Sequence, residues 1–321
     1  MRKRYFTVIS AILCFIMILS AVGCSKFDDL SESDTGESNT YSESNTDDSI
    51  QNSTVKATEK KTEKKTEKKT EKKTDAKTEK PTEKQTEAEA TLKVKFASYN
   101  LKHGEENSDL KKIAANITKN NIEIVGFQEV DNNTKRSGKV NQIKRLSELT
   151  GYQYYKFFKA INHDGGEYGT AILSKYPIEE SKKINLSSGS AEQRVLGYTK
   201  INVDGTYVNF FVTHLSYDGE GGGASRTKQF SEVAAELAKY DNFVLSGDFN
   251  TRNLDEYSVI SGSALVNTKE DPQITYPAGR SPLDNLVYST STWKFDKITV
   301  VTDSYSDHYM IYSIGTFTKA K

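Results

Sequence analysis

The sequence predicts an α/β sandwich in which helices cover stacked β-sheets. Three observations carry that expectation. Strand-like runs rich in Val, Ile, Tyr and Phe alternate with helix-like runs between residues 92 and 321. Two of those runs, Arg194–Val203 and Thr206–Leu215, are separated by Asp204-Gly205, the pair a two-residue hairpin favours. Polar residues gather where apolar runs stop, and strand ends are where rigid scaffolds present their site residues.

Taken in order, Leu92–Leu101 alternates enough for a strand ending in Ser98-Tyr99-Asn100-Leu101. Leu110, Ile113, Ala114 and Ile117 share one face of a helix that Ser108 can cap. Ile122–Val130 is a β-branched, apolar strand ending in Gln128-Glu129. Val140, Ile143, Leu146 and Leu149 mark a second helix, which Gly151 stops. Tyr152–Lys159 and Gly169–Lys175 read as strands, and the hairpin follows. Phe230, Val233, Ala234 and Leu237 line one face of a helix over Ala224–Tyr240. Phe243–Ser246 is a short buried strand running into Gly247-Asp248-Phe249-Asn250. Leu283–Tyr288, Lys294–Val301 and Met310–Phe317 complete the strands.

The remainder of the 321 residues has a different character. Arg2, Lys3 and Arg4 precede an apolar run from Tyr5 to Val22 that ends in Gly23-Cys24, the layout of an export signal. The Gly23-Cys24 junction resembles a bacterial lipobox, with Ala21 where Leu is usual. The resemblance implies that residues 1–24 are a lipoprotein signal and that Cys24 becomes a lipidated anchor on the outer face of the cell membrane. An uncleaved membrane anchor is the alternative. Residues 25–91 hold two aromatics, Phe27 and Tyr41, and repeat Thr-Glu-Lys-Lys from Thr58 onward. Helical pairing there would set Glu59 over Glu63 and Lys60 over Lys64, like on like, so a solvated tether is expected. Fully stretched, it reaches roughly 220–240 Å. A wall- or polyanion-binding tail is the rival reading. The formal net charge is zero, but it averages an acidic stretch over 27–50 with a nearly neutral domain over 92–321. That balance gives no bulk electrostatic capture of nucleic acid. Cys14 and Cys24 are the only cysteines, so residues 92–321 have neither disulfide nor thiolate zinc site.

Asn100, Glu129, His214, Asp248, Asn250, Asp307 and His308 stand at strand ends, and Asp284 at the start or inside of another strand. Each has an ordinary structural reading, whether a capping acid, a core histidine or a turn. In conjunction, carboxylates and histidines without cysteine suit a hard divalent ion such as Mg²⁺ or Mn²⁺. A His beside Asp or Glu supplies an acid or base near neutral pH. His103 and His163 read as loop positions without a ligand role.

Asn100, Gln128-Glu129, Thr213-His214-Leu215, Gly247-Asp248-Phe249-Asn250, Asp284 and Ser306-Asp307-His308 stand in the order of the endonuclease/exonuclease/phosphatase superfamily, which the chain resembles. Gly165–Gly169, Leu173–Ile178, Glu192-Gln193-Arg194 and Arg226 with Gln229 agree with its small metal-dependent hydrolase branch. Asn285 departs from it, since an aromatic often follows the Asp of the fifth motif. The resemblance implies a DNase I-like, four-layer α/β sandwich over 92–321, two packed mixed β-sheets flanked by helices. It implies Mg²⁺- or Mn²⁺-dependent phosphoester hydrolysis with Glu129 as primary metal ligand and Asn100 and Asp307 near the ion. It implies that the base activating water is either His308, with Asp284 on its other ring nitrogen, or Asp248. Asn250 orients phosphate or Asp248, and His214 contacts a phosphoryl oxygen. Arg194 and Tyr168 are substrate contacts. The expected partners are a phosphoester substrate, either nucleic acid or a lipid headgroup, and the membrane through Cys24. A monomer is expected. An extracellular nuclease, a sphingomyelinase-like phosphodiesterase and a non-catalytic binding module are the competing functions. The glycine-rich stretch Asp218–Gly223 leaves the substrate rim open.

Overall fold

The computed structural model describes residues 91–104, 107–219 and 222–318. The export signal, the lipobox and the Thr-Glu-Lys-Lys repeats lie outside them. In chain order the elements are β1 (Lys93–Asn100), α1 (Asn107–Lys119), β2 (Ile124–Asn132), α2 (Gln142–Thr150), β3 (Tyr154–His163) and β4 (Gly166–Ser174). β5 (Ile178–Leu186), β6 (Arg194–Val203), β7 (Thr206–His214), α3 (Gly222–Leu237) and β8 (Phe243–Asp248) follow. The chain closes with β9 (Ser263–Leu265), β10 (Asp284–Ser289), β11 (Trp293–Phe295), β12 (Thr299–Val301) and β13 (Met310–Phe317).

These strands make two mixed sheets. One runs β11-β13-β1-β2-β4-β3, with β12 also on β13; the other runs β5-β6-β7-β8-β10-β9. Each has one parallel pair at its centre, β1 with β2 across α1 and β7 with β8 across α3, as a helical crossover permits.

The alternation of side chains along strands divides the apolar residues among three cores. Phe96, Ile124, Phe210, Val212, Val244 and Leu286 pack between the sheets. Their neighbours Ala97, Val125 and Phe127 turn outward under α1 and α2. Phe211, Leu245 and Val287 turn outward under α3. The result is four layers, helix–sheet–sheet–helix. It explains why the central strands read as continuous apolar runs: both faces are buried. The sheets approach closely at Gly126, where a Cβ would lie 1.8 Å from Ser246 Oγ.

Local signals were followed faithfully at the hairpin and the second helix. Asp204 and Gly205 both take positive φ, 49° and 89°, as a type I′ turn requires. Gly151 caps α2 in the left-handed region at φ 76°. Three expectations need correction. α1 begins at Asn107, so Ser108 stands in its first turn rather than at its cap. Lys294–Val301 is not one strand: β11 and β12 pair with the two ends of β13 around a break where Asp296 N donates to Ile314 O. β5, unforeseen, is an edge strand whose mostly exposed Glu, Ser and Lys residues hide its pairing with β6. Among the described residues no helix is long and apolar enough to cross a membrane.

Candidate active site

The inter-sheet core turns polar at one end of the sandwich, and the turn follows strand periodicity. Phe96, Ser98 and Asn100 lie two apart on β1; Val244, Ser246 and Asp248 on β8; Val212 and His214 on β7; Leu286 and Asp284 on β10. In each case the stripe that is apolar between the sheets ends in a site residue. Register aligns them across neighbouring strands, His214 opposite Asp248 and Asp248 opposite Asp284. Side chains in register on adjacent strands are neighbours, about 5 Å apart.

Glu129 has the wrong phase for this stripe, because its neighbours Val125 and Phe127 face α1 and α2. A β-bulge between Phe127 and Val130, with Glu129 at φ 55°, re-aims it. Its Oε1 then accepts a 3.0 Å hydrogen bond from Asn100 Nδ2, which also donates to Asp248 Oδ2 at 3.0 Å. The Asn100 amide is thereby wedged between two carboxylates, and its Oδ1 accepts from the Lys102 N–H. Asn250, at φ 51°, closes an Asx turn through its N–H to Asp248 Oδ1 at 2.9 Å.

His308 Nδ1 lies 2.8 Å from Asp284 Oδ2, and Nε2 lies 3.6 Å from Asp248 Oδ2. A carboxylate can only accept here, so Nδ1 carries its proton. The Tyr276 ring covers the imidazole at 4.9 Å between centroids. His214 Nε2 approaches the same Asp248 Oδ2 at 3.6 Å, while Nδ1 faces Arg194 Nη1 at 3.0 Å. Both ring nitrogens of His214 thus face donors, Arg194 Nη1 on one side and Asn250 Nδ2 on the other, and a neutral imidazole accepts from one of them. Asn250 Nδ2 sits 3.0 Å from that Nε2 and donates to Leu215 O at 2.9 Å. Arg194 is held by Glu192 at 3.1 Å.

The charges separate in consequence. Burial, then the nearby Asp284 carboxylate, pushes Asp248 up to about 7. Burial, the Arg194 guanidinium and His308 all hold His214 well below the usual imidazole value, so it stays neutral. For His308 burial favours the neutral ring, but the Asp284 and Asp248 carboxylates outweigh it and raise the group to about 10. Opposite environments for neighbouring titratable groups mark an acid and a base.

A cleft of about 510 Å³ opens over these groups. Its lining includes Glu129, Tyr168, Arg194, His214, Asp248, Asn250, Asp307 and His308, so the structure gathers eight of the expected residues on one surface. Asn100 and Asp284 lie directly behind it through their bonds to Asp248 and His308. Tyr168 is 8 % exposed and lies beneath Arg136 at 5.4 Å. Sequence reasoning missed Glu192, Tyr217, Arg252, Tyr276 and Leu283 as lining residues. Only Glu192 carried a signal, through its motif with Arg194. His163 ends β3 with its ring against Tyr168, and His103 lies in a half-buried turn over Lys102–Gly104. The glycine-rich rim is partly fixed: Asp218 lines the cleft and pairs with Arg226 at 2.6 Å.

Asp248, Asp284 and His308 offer ligand atoms within 4.8 Å of one another, all buried. The buried Asp284 Oδ1 has no hydrogen-bond partner. His308 bridges the two carboxylates through its ring nitrogens, whereas Glu129 and Asp307, which line the same cleft, offer the oxygen donors that fit a hard divalent cation.

Residues 97–308 match the sequence model of the endonuclease/exonuclease/phosphatase family. No curated protein matches the chain. An endonuclease/exonuclease/phosphatase from Beutenbergia cavernae is similar in structure, with TM-score 0.60 and 19 % identity over 71 % of this chain and 72 % of that one. A mannosyl-6-phosphatase of Bacteroides thetaiotaomicron gives 0.55 and 17 % over 68 % and 98 %. D. rerio TDP2, complexed with a single-strand DNA product, gives 0.56 and 16 % over 70 % and 98 %.

Proposed function

The chain belongs to the endonuclease/exonuclease/phosphatase family and is a hydrolase of phosphoester bonds; from that premise we propose that it cleaves a phosphodiester with Asp248 as the base and His308 as the cationic partner. The observation that carries this reading is the Asp284–His308–Asp248 chain at 2.8 and 3.6 Å, closing the floor of the cleft. Family enzymes are generally dependent on a divalent metal. Mg²⁺ held by Glu129, with Asn100 and Asp307, would polarise a phosphoryl oxygen and offset its developing charge.

The chain's own groups supply the rest. Asp248 titrates near neutrality, where a carboxylate is basic enough to take a proton from water and about half of it is ionised. Asp284 fixes the His308 ring, and the raised imidazole keeps its proton at neutral pH, available to the phosphoryl group or leaving oxygen. His214 is held neutral and lines the cleft beside Asp248, where its imidazole contacts a phosphoryl oxygen; Asn250 holds that edge through Leu215 O. Arg194 lies against His214 Nδ1 and lines the cleft itself.

Outside the catalytic domain, the reading keeps the export signal and a Cys24 lipid anchor, which would hold the enzyme outside the bacterial cell on the 25–91 tether. A nucleic acid and a lipid headgroup are both candidate substrates for such a placement.

The test is hydrolysis of bis(p-nitrophenyl) phosphate with Mg²⁺, with chelator, and by Glu129→Ala and His308→Ala. Chelation and either substitution should each cost at least about 10²-fold. Full turnover in the chelated sample removes the metal, and full turnover by His308→Ala removes the proposed acid.

A further inference from the structure

The cleft is unevenly neutralised. Of its arginines, Arg194 is paired with Glu192 at 3.1 Å. Arg226, just behind the rim, is paired with Asp218 at 2.6 Å and Glu256 at 3.2 Å. Arg252 also lines the cleft, yet no carboxylate among the described residues pairs with it. It is exposed but not loose. Its Nε donates to Ser281 Oγ at 2.7 Å, and that buried hydroxyl in turn donates to Gly279 O at 2.7 Å.

The turn that holds Arg252 also holds the cover of the catalytic histidine. Tyr276 and Ser281 bridge its base, and Tyr276 stacks on His308. Gly279 lets the groups lie together: a Cβ there would stand 2.8 Å from the Tyr276 ring and 3.3 Å from Arg252 Nη2. The guanidinium is therefore tied to the same turn that sets the Tyr276 ring against His308. A cation that is oriented, solvated and unpaired in a phosphoester cleft has donors left for an anion, and a guanidinium fork matches phosphate.

Resting on the phosphoester reading above, we propose that Arg252 forms a second anion subsite, which receives a further phosphate group of the substrate beside the one being cleaved. The preferred substrate is then a phosphoester bearing at least two phosphates, and Arg252 sets that preference. Ser281 acts as its positioning residue. A neighbouring phosphate of an oligonucleotide and the second phosphate of a polyphosphorylated headgroup offer the same chemistry to this site.

Non-hydrolysable probes test the subsite without turnover. Methylphosphonate and alkane-α,ω-bisphosphonates of two to five carbons are titrated calorimetrically into the protein with Mg²⁺. At least one bisphosphonate should bind tenfold or more tighter than methylphosphonate. Arg252→Gln should reduce that advantage to about the statistical twofold, Ser281→Ala should reduce it partly, and Arg280→Gln, on the same turn but outside the cleft lining, should leave it. Turnover of 5′-phosphorylated dithymidylate against an inositol bisphosphate then identifies the source, as the one whose KM rises in Arg252→Gln. An advantage that is missing in the wild-type protein, or that survives Arg252→Gln, overturns the proposal. Methylphosphonate affinity is independent of this subsite, and its loss in His214→Gln reports separately on the phosphoester reading.

Discussion

Asp284→Asn isolates the role of the buried charge behind His308. The substitution keeps shape and leaves an oxygen that can accept from Nδ1, but removes the charge at 2.8 Å in a site with no solvent exposure. A charge-assisted hydrogen bond of this kind contributes roughly 1.5–3 kcal/mol, against about 1 for a neutral one. The difference amounts to about tenfold in rate, since ~1.4 kcal/mol is one decade. The second effect is on protonation. Burial opposes the charged ring and the two carboxylates support it, so losing Asp284 lowers the His308 pKa from about 10. Each unit by which it falls below the assay pH costs about another tenfold in the protonated fraction. A fall of about one to two units leaves at least about half of the ring protonated at pH 8, so the predicted loss in kcat there is about tenfold, growing toward pH 10. The assay is kcat and kcat/KM for bis(p-nitrophenyl) phosphate with Mg²⁺ from pH 5 to 10. Wild-type activity should rise as Asp248 ionises around 7 and fall as His308 deprotonates near 10. The variant should show both limbs moved to lower pH, because the Asp284 charge raises Asp248 as well as His308. An Asp284→Asn enzyme within threefold of wild type, or one whose alkaline limb stays in place, refutes the argument.

The same residue gives a stability prediction with a definite sign. The folded-state pKa of His308 is raised above the unfolded value of 6.5. Its contribution is therefore fully present below about pH 6.5 and lost as pH rises through about 10. Denaturant unfolding in chelator should show wild-type stability falling across that window, by on the order of a few kcal/mol. Asp284→Asn should flatten the fall, and an unchanged slope counts against the His308 assignment. Gly126→Ala should destabilise the domain by about 1–3 kcal/mol, because its Cβ would meet Ser246 Oγ at 1.8 Å. Adding Ser246→Ala should recover part of the loss; a neutral single variant shows that the sheets are not held this close. Cys24→Ala should abolish incorporation of labelled fatty acid and release the protein from the membrane fraction, whereas retained label disposes of the lipid anchor.

Much of the catalytic surface was legible because strands present alternate residues to one face. The apolar stripes that end in Asn100, His214 and Asp248 are visible as spacing of two, and their clustering needs only that the strands pair. Glu129 was named from its motif, but its phase along β2 points away from the site. A bulge and a positive φ bring it back, and neither has a local sequence signal. β5 was illegible for the opposite reason. An edge strand buries little, so its charged residues carry no periodic imprint of the sheet. Lys294–Val301 was correctly read as extended, but the break at Asp296 is imposed by pairing to the two halves of β13.

What the sequence determined by itself was the set of groups: which carboxylates, histidines and amides stand at strand ends, in what order, on a mixed α/β scaffold. Backbone periodicity and turn chemistry are local, so they survive in one dimension. Only the tertiary structure decided the surroundings of those groups. Asp284 sits between burial and His308, His214 between Arg194 and Asp248, and Arg252 on a turn shared with Tyr276. Proton affinities depend on burial and on charges a few ångströms away, and those neighbours come from strands tens to hundreds of residues apart in the chain.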